Sequence, residues 1–183
     1  MVSHAIRPDI GAVGARLRYP NKSLQHGGLI LGVGGVAGHA HKHLPLGNLG
    51  YFGRADLTSN FSAVTAACLF IRKTLFGELG GFDTENLGVA FNDVDFGCRL
   101  TALGYRNVWT PYANLYHHES ASRGDDMGKP NRKKGFQSEM SYIQSHWQEI
   151  LNSDPAYSPN LTLVHEDLSY SWPPRVEILG LTR

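Results

Sequence analysis

Two carboxylates and two imidazoles stand out by type and spacing. Asp93 and Asp95 follow Asn92 in the run Phe91-Asn92-Asp93-Val94-Asp95-Phe96, and His117-His118-Glu119 closes a short apolar run downstream. A carboxylate aimed into a cleft can take a proton from a hydroxyl, and an imidazole is a common ligand for transition metals. The same residues have a plainer use. Acidic side chains in a first helical turn complement the helix dipole, and adjacent histidines at a strand end are commonly solvated or hydrogen-bonded. If the set is chemical, Asp93 is the candidate base. Asp95 lies about 200° from it around a helix, so it is expected to orient a hydroxyl or a neighbouring loop and not to share the proton. Strand alternation lets only one of His117 and His118 face inward, and either can be the ligand. A metal-dependent hydrolase built on Asp93, Asp95, His117 and His118 is one chemistry this set permits, although no other clustered Asp or His supplies a second metal site.

The elements that must position these groups can be read from the pattern. Phe96, Leu100 and Leu103 fall at i, i+4 and i+7, which predicts one apolar helical face. Asn92 suits the N-cap and Gly104 the end of that helix. Residues 105–109 and 113–116 read as two strand runs separated by Thr110-Pro111. Upstream, residues 12–19 alternate as a strand, Pro20-Asn21-Lys22 is turn chemistry, and 24–33 reads as the hairpin partner, with Gln25 and His26 near its start. Residues 34–56 are Gly-rich and carry His39, His41 and His43 at period two. On a strand these would share a face and could bind zinc, but a Gly-rich loop holds no fixed geometry, and a mobile active-site loop is expected. Residues 59–72 read as one buried central strand, whose small Ala63, Ala66 and Ala67 would admit a sugar or another backbone. Residues 73–79 predict a short helix ended by Gly80-Gly81. Residues 125–135 are charged and read as a solvated loop. A helix is expected over 136–151 with Met140, Ile143, Trp147 and Ile150 or Leu151 on one side, followed by a proline-rich extended tail.

The totals exclude several classes. The chain has 183 residues, enough for a single domain with a core. Its 17 basic and 16 acidic residues leave a formal net charge of +1, so no strong field points to nucleic acid or an anionic surface. No apolar run approaches the roughly 20 residues of a membrane span, and residues 1–9 lack a signal-peptide core. Cys68 and Cys98 form neither a metal spacing nor a secreted-type framework. A reduced, cytoplasmic protein is expected.

From Gly11 to about Arg175 the chain resembles the C-terminal half of family 2 glycosyltransferases, which have the GT-A fold. The matching pieces are Ile10-Gly11-Ala12-Val13-Gly14-Ala15-Arg16-Leu17, Leu24-Gln25-His26-Gly27-Gly28, Ser62-Ala63-Val64-Thr65-Ala66-Ala67-Cys68 and Gly80-Gly81-Phe82-Asp83. They continue with Asn92-Asp93-Val94-Asp95-Phe96, Gly104-Tyr105-Arg106, Thr110-Pro111 and His117-His118-Glu119-Ser120-Ala121-Ser122-Arg123-Gly124. The resemblance implies an α/β chain: a partial GT-A-like mixed sheet with flanking helices, residues 1–124 forming the acceptor-side part and 125–183 a loop, helix and tail packed on it.

It also implies a function. A nucleotide-sugar donor gives its sugar, with inversion, to a glycan or lipid-linked acceptor, in polysaccharide biosynthesis. Asp93 matches the family's base and His117 its C-terminal metal ligand, with His118 as the other candidate. Asn92, Asp95, Ser122 and Arg123 are the expected substrate contacts, Arg123 in a segment that closes over the donor diphosphate. The expected cofactor is a divalent cation, Mn²⁺ or Mg²⁺, and the expected location is cytoplasmic or peripheral at the inner face of the membrane. The family's nucleotide-binding half should precede Gly11, where only ten residues stand. The chain is therefore expected to be a fragment, inactive alone, whose open sheet edge favours homo-oligomers. The competing reading is a non-catalytic carbohydrate-binding or assembly module that keeps the motifs as relics.

Overall fold

The structure is a computed structural model that describes residues 1–88, 90–118 and 130–176. A short helix α1 (Val2–Ala5) leads into β1 (Ile10–Arg18), the spine of the sheet. The remaining elements are β2 (Leu24–His26), β3 (Leu29–Leu31), β4 (Ala37–His39), β5 (Ser59–Phe61), β6 (Leu69–Ile71), α2 (Lys73–Glu78), α3 (Asn92–Ala102), β7 (Arg106–Tyr116), α4 (Pro130–His146) and α5 (Gln148–Asn152). Three 3₁₀ turns lie at Val33–Gly35, Tyr51–Asp56 and Ala66–Cys68. One edge of β1 pairs in parallel with β7, which carries β5 antiparallel on its far side. Its other edge is shared, β6 pairing with Ala12–Gly14 and β2 with Leu17 and Arg18, both antiparallel. β3 and β4 form a separate two-stranded ribbon. The mixed α/β architecture with flanking helices is the one expected of a partial GT-A-like fold.

β1 is buried on both faces because both of its edges are paired and both faces are covered; among its residues only Arg16 is half-buried. The two expected runs 105–109 and 113–116 are one strand, β7. Pro111 still leaves its mark there: the pairing with β1 slips between Ala15↔Thr110 and Arg16↔Asn114, since proline cannot donate to a ladder. The helix over 73–79 and the end of α3 stand as read, with Gly80, Gly81 and Gly104 all at positive φ.

Further expectations are corrected. Residues 59–72 are not one central strand. β5 and β6 lie on different sides of β1, and the intervening Ser62–Thr65 stretch is buried between β1 and α3. Residues 24–33 divide into β2 and β3 at Gly27-Gly28, where Gly28 has φ 105°. Residues 34–56 are not a free loop. Leu24 N–H donates to Leu44 O, His43 N–H to Leu24 O and Ala40 N–H to Gly28 O, pinning 40–44 along β2. Finally, a helix spans Pro130–His146 where a loop was expected to reach residue 135, and it breaks at Trp147. Leu103 also leaves the apolar face of α3, lying 62% exposed while Phe96 and Leu100 are fully buried.

The Ser62–Thr65 stretch is the joint of the fold. Gly97 of α3 abuts Ala63, where a Cβ on Gly97 would come within 2.5 Å of the Ala63 Cβ; on the other side a Cβ on Gly14 would meet Val64 at 2.7 Å. Asn107 of β7, 1% exposed, closes the joint. Its Nδ2 donates to Ser62 O (2.8 Å) and Gly97 O (3.1 Å), while its Oδ1 accepts from Ala12 N–H (3.2 Å). Asp154, buried by the C-terminal segment, adds a second tie by accepting from Ser62 Oγ (2.5 Å) and Leu31 N–H (2.9 Å). Burial is the main influence on its carboxyl and raises it above the ordinary range. Asn107→Leu keeps the volume but takes this partner from Ala12 N–H, Ser62 O and Gly97 O, of which Ser62 O keeps the Thr101 hydroxyl (3.2 Å); a buried group left unpaired costs about 1–3 kcal/mol. We expect a loss of about 2 kcal/mol or more in urea unfolding. A loss below about 1 kcal/mol would show that the joint does not depend on this side chain.

Candidate functional site

Asp93 sits in the first turn of α3, half-buried. The helix is entered through Phe91 in the left-handed region (φ 59°, ψ 6°), so Asn92 is the first helical residue and not the cap. A non-glycine residue in that conformation costs of order 1–3 kcal/mol and persists only where its surroundings over-determine it. Here the Phe91 ring packs on Phe136 of α4 at 5.1 Å. Buried Glu139, one turn further along α4, accepts from Ala90 N–H (2.6 Å) and Gly88 N–H (3.2 Å). The approach to Asp93 is thus held from the C-terminal helix. Asp93 Oδ2 accepts from Ala66 N–H (3.0 Å) and Oδ1 from Val94 N–H (2.9 Å). A carboxylate has about four acceptor positions, so each oxygen retains one for a substrate.

Ala66 opens the 3₁₀ turn that separates Asp93 from a cavity of about 110 Å³. Gln25, His26, His39, Lys42, Thr65 and His117 line it, and Ala67 reaches it from the turn. His117 lies just past β7, where its N–H donates to Arg18 O (3.0 Å). Its Nδ1–H donates to Gln25 Oε1 at 2.9 Å, which leaves Nε2 as the lone-pair nitrogen. His118 is exposed. The structure therefore brings Asp93 and His117 to two sides of one turn.

Asp95 is placed differently. It is 3% exposed, Oδ2 accepts from Arg99 Nε (2.8 Å) and Oδ1 from Trp147 Nε1 (2.9 Å). Its carboxylate ties α3 to the Trp147 break between α4 and α5. Asn92 is half-buried at the helix start. Ser122 and Arg123 lie outside the described residues.

Sequence reasoning missed the pairing of His26 with His39. His26 is fully buried, its Nδ1 is 2.8 Å from His39 Nδ1, and its Nε2 accepts from Thr65 N–H at 3.4 Å. Burial, and then the neighbouring His39, lower the His26 imidazole well below its ordinary range, so it is neutral. The period-two pattern of His39, His41 and His43 predicted one shared face. Left-handed φ values at His41 and His43 break it. His43 stacks on Tyr19 at 5.1 Å, and His41 is buried elsewhere. A signal was present, because Gly28 before β3 and Gly32, Gly34 and Gly35 after it, all at positive φ, permit the sharp returns that bring β2 and β4 together.

The fit to a divalent cation is partial. Among the described residues no three His, Cys, Asp or Glu side chains gather to hold a metal. His117 Nε2 can supply one ligand, with Gln25 fixing the tautomer as outer partners of metal-bound imidazoles do.

The chain is similar to curated proteins of bacterial origin. It is 48% identical over 173 residues to an uncharacterized protein, y4gI, of Sinorhizobium fredii (strain NBRC 101917 / NGR234), covering 94% of this chain and 19% of that one. It is 41% identical over 168 residues to the O-antigen biosynthesis protein RfbC of Myxococcus xanthus, covering 91% and 13%. Over 63 residues it is 40% identical to an N-acetylglucosaminyl-diphospho-decaprenol L-rhamnosyltransferase of Mycobacterium tuberculosis (strain ATCC 25618 / H37Rv), covering 34% and 20%. The chain thus spans a fifth or less of the length of these relatives. No family model matches it, and no solved structure does. No helix among the described residues is long and apolar enough to cross a membrane.

The buried imidazoles have a consequence for acid stability. Burial, then the Arg54 charge, lower His41 from its ordinary 6.5 to about 4, and its Nε2 has no partner among the described residues. A histidine with a depressed folded value binds its proton more readily when unfolded. Its contribution is complete above about pH 6.5 and is lost as the pH falls towards 4. The loss for His41 alone is about 3 kcal/mol, and His26 acts in the same direction. We expect His41→Asn to flatten urea-derived stability over this range by about one proton, roughly 1.4 kcal/mol per pH unit. An unchanged slope would remove His41 from the acid response.

Proposed function

We propose that the chain is family 2 glycosyltransferase-like, the acceptor-side part of an inverting glycosyltransferase acting in polysaccharide biosynthesis, a reading supported by its likeness to the O-antigen biosynthesis protein and the rhamnosyltransferase. The observation that carries this reading is the Asp93 carboxylate, held by Ala66 N–H at the start of α3 beside the cavity that His117 lines. Asp93 takes the proton of an acceptor hydroxyl as that oxygen attacks the anomeric carbon of a nucleotide sugar. The new carbon–oxygen bond forms on the face opposite the departing diphosphate, which leaves with the electron pair of the broken bond. The Ala66 and Val94 N–H groups keep the carboxylate oriented while leaving acceptor positions for the hydroxyl. In this reading Asn92 lies beside the acceptor, and Ser122 and Arg123 contact the donor.

His117 Nε2 would be one ligand of a divalent cation, Mn²⁺ or Mg²⁺, which when bound supplies positive charge to the leaving diphosphate. The remaining ligands, the base pocket and the ribose contact are ascribed to a nucleotide-binding half, as in the family. Transfer is therefore a property of the longer assembly, and this chain alone is inactive in this reading. A cytoplasmic location, peripheral at the inner face of the membrane, follows from the same likeness and rests on that alone.

Asp93→Asn in the complete protein tests the reading. Asn keeps an oxygen that can accept from Ala66 N–H, so the fold and donor binding should stay within about twofold. Transfer should fall by about 10²–10⁴, the usual contribution of a general base. A variant with more than about a tenth of wild-type turnover would remove Asp93 from the role.

A further inference from the structure

We propose that the cavity of about 250 Å³ at the end of β1 binds a phosphoryl group that carries an apolar chain, with the guanidinium groups of Arg16 and Arg18 holding the phosphoryl oxygens. The two arginines lie two residues apart on β1 and line the same cavity. Their charges are incompletely balanced. Arg16 Nη2 donates to Ala55 O (2.7 Å) and to the Asp56 carboxylate (2.5 Å), and its guanidinium lies 5.8 Å from the centre of the buried Trp109 ring. Its Nε is buried and has no partner among the described residues. Arg18 is 8% exposed and donates to neutral acceptors, Nε to Asn114 Oδ1 (3.1 Å) and Nη1 to Lys22 O (2.9 Å). Burial, then the Arg16 charge, lower Arg18 from its ordinary range, yet a guanidinium keeps its proton near neutral pH. Asp56, the one acidic side chain lining the cavity among the described residues, is 59% exposed. Two nearly buried cations thus share one solvated carboxylate, where buried charges are ordinarily paired.

The ligand class follows from the rest of the lining. Guanidinium forks match phosphate oxygens, and a phosphate monoester brings a charge of about −1.5 to −2 near pH 7, enough to offset the excess cation. Leu24, Leu44, Pro45, Leu46 and Leu49 supply apolar wall. Leu46 and Leu49 are 60% and 55% exposed, an apolar lip that a hydrocarbon chain can cover. The wall is fixed by its backbone, with Leu24 N–H donating to Leu44 O (2.8 Å) and Ala55 N–H to Leu49 O (3.0 Å). Asn48 is the neutral polar side chain there, and its Oδ1 already accepts from Gly50 N–H (2.9 Å), so little remains to meet sugar hydroxyls. The volume is also below the roughly 300 Å³ at which sites for drug-sized ligands begin. This cavity shares no lining residue with the one that His117 lines, so the site stands apart from the glycosyltransferase reading.

The test titrates this chain, labelled with ¹⁵N at arginine, with n-butyl phosphate and with inorganic phosphate near neutral pH. Butyl phosphate should shift the Arg16 and Arg18 Nε–H signals saturably. It should bind about tenfold tighter than inorganic phosphate, the gain from burying about two methylenes. Arg16→Gln should weaken binding about tenfold or more, the loss of a charge-assisted hydrogen bond. Asp56→Asn removes the carboxylate that competes for Arg16 and should tighten binding about two- to fivefold, the range for an exposed ion pair. Asp56 is at the surface, so this variant decides the matter even where Arg16→Gln does not fold. Leu46→Ser combined with Leu49→Ser should abolish the preference for butyl phosphate and leave inorganic phosphate within about twofold. Arginine signals indifferent to both phosphates, in the wild type and in Asp56→Asn, overturn the proposal and leave the Arg16–Asp56 pair a purely structural tie. Equal binding of the two phosphates overturns the apolar chain and assigns the site to free phosphate.

Discussion

One buried carboxamide determines where the helix that carries Asp93 can lie. Asn107 reaches from β7 to β1, to the Ser62–Thr65 joint and to α3, engaging Ala12 N–H, Ser62 O and Gly97 O. Only a side chain with both a donor pair and an acceptor can satisfy this set. The joint is otherwise made of small residues in very close approach, Gly97 on Ala63 and Gly14 against Val64, and dispersion forces alone do not fix a register there. The hydrogen bonds do. With α3 located by Asn107 at its middle, the Ala66 turn at the end of the same joint meets the first turn of α3, and the Asp93–Ala66 bond follows.

The same logic extends across β1. Trp109, 1% exposed, donates Nε1–H to Ala15 O (3.1 Å) and to His26 O (3.2 Å), so β7 also fixes β2. His26 then accepts from Thr65 N–H, two residues from Ala67 in the cavity wall. Two side chains on β7, Asn107 and Trp109, therefore fix the opposite walls of the site. Their two-residue spacing puts both on one face of the strand, the face towards α3 and the joint.

Local pattern made part of this legible. Alternation marked β1, and glycines at positive φ ended α2 and α3 where they were read, because those signals act over a few residues. The order of motifs pointed to Asp93 and His117 through resemblance, since spacing alone is equally that of a helix cap and a solvated pair. What escaped was encoded at long range. Residues 59–72 hold no Gly or Pro, so the one local mark of the turn is Thr65, whose hydroxyl accepts from Ala67 N–H; the buried stretch before it is packed between Gly97 and Gly14, which are distant in sequence. Helix α4 starts early in a Lys- and Arg-rich stretch that composition assigns to a loop, although such residues are good helix formers. Asp95 was read as substrate-facing because it is acidic and close to Asp93. In the structure its carboxylate pairs with Arg99, four residues on along the same helix, and with Trp147, whose place depends on where the chain between α4 and α5 docks.

The C-terminal segment is part of the site's support and not an appendage. Glu139 restrains the backbone that precedes Asp93, Trp147 takes the second oxygen of Asp95, and Asp154 holds Ser62 in the joint. Each contact comes from a different turn of the 130–154 region, and each ends on a backbone or side chain within a few residues of Asp93 or Ala66. The left-handed Phe91 explains why so many restraints converge there. A strained entry to α3 would relax into an ordinary helical start unless the chain before it, the ring itself and the helix after it were all held. Those three restraints are Glu139 on the chain before, Phe136 on the ring, and Asp95 with Trp147 on the helix after. The direction in which Asp93 points is thus set from α4 and the Trp147 break that follows it, by residues more than forty positions away in the sequence.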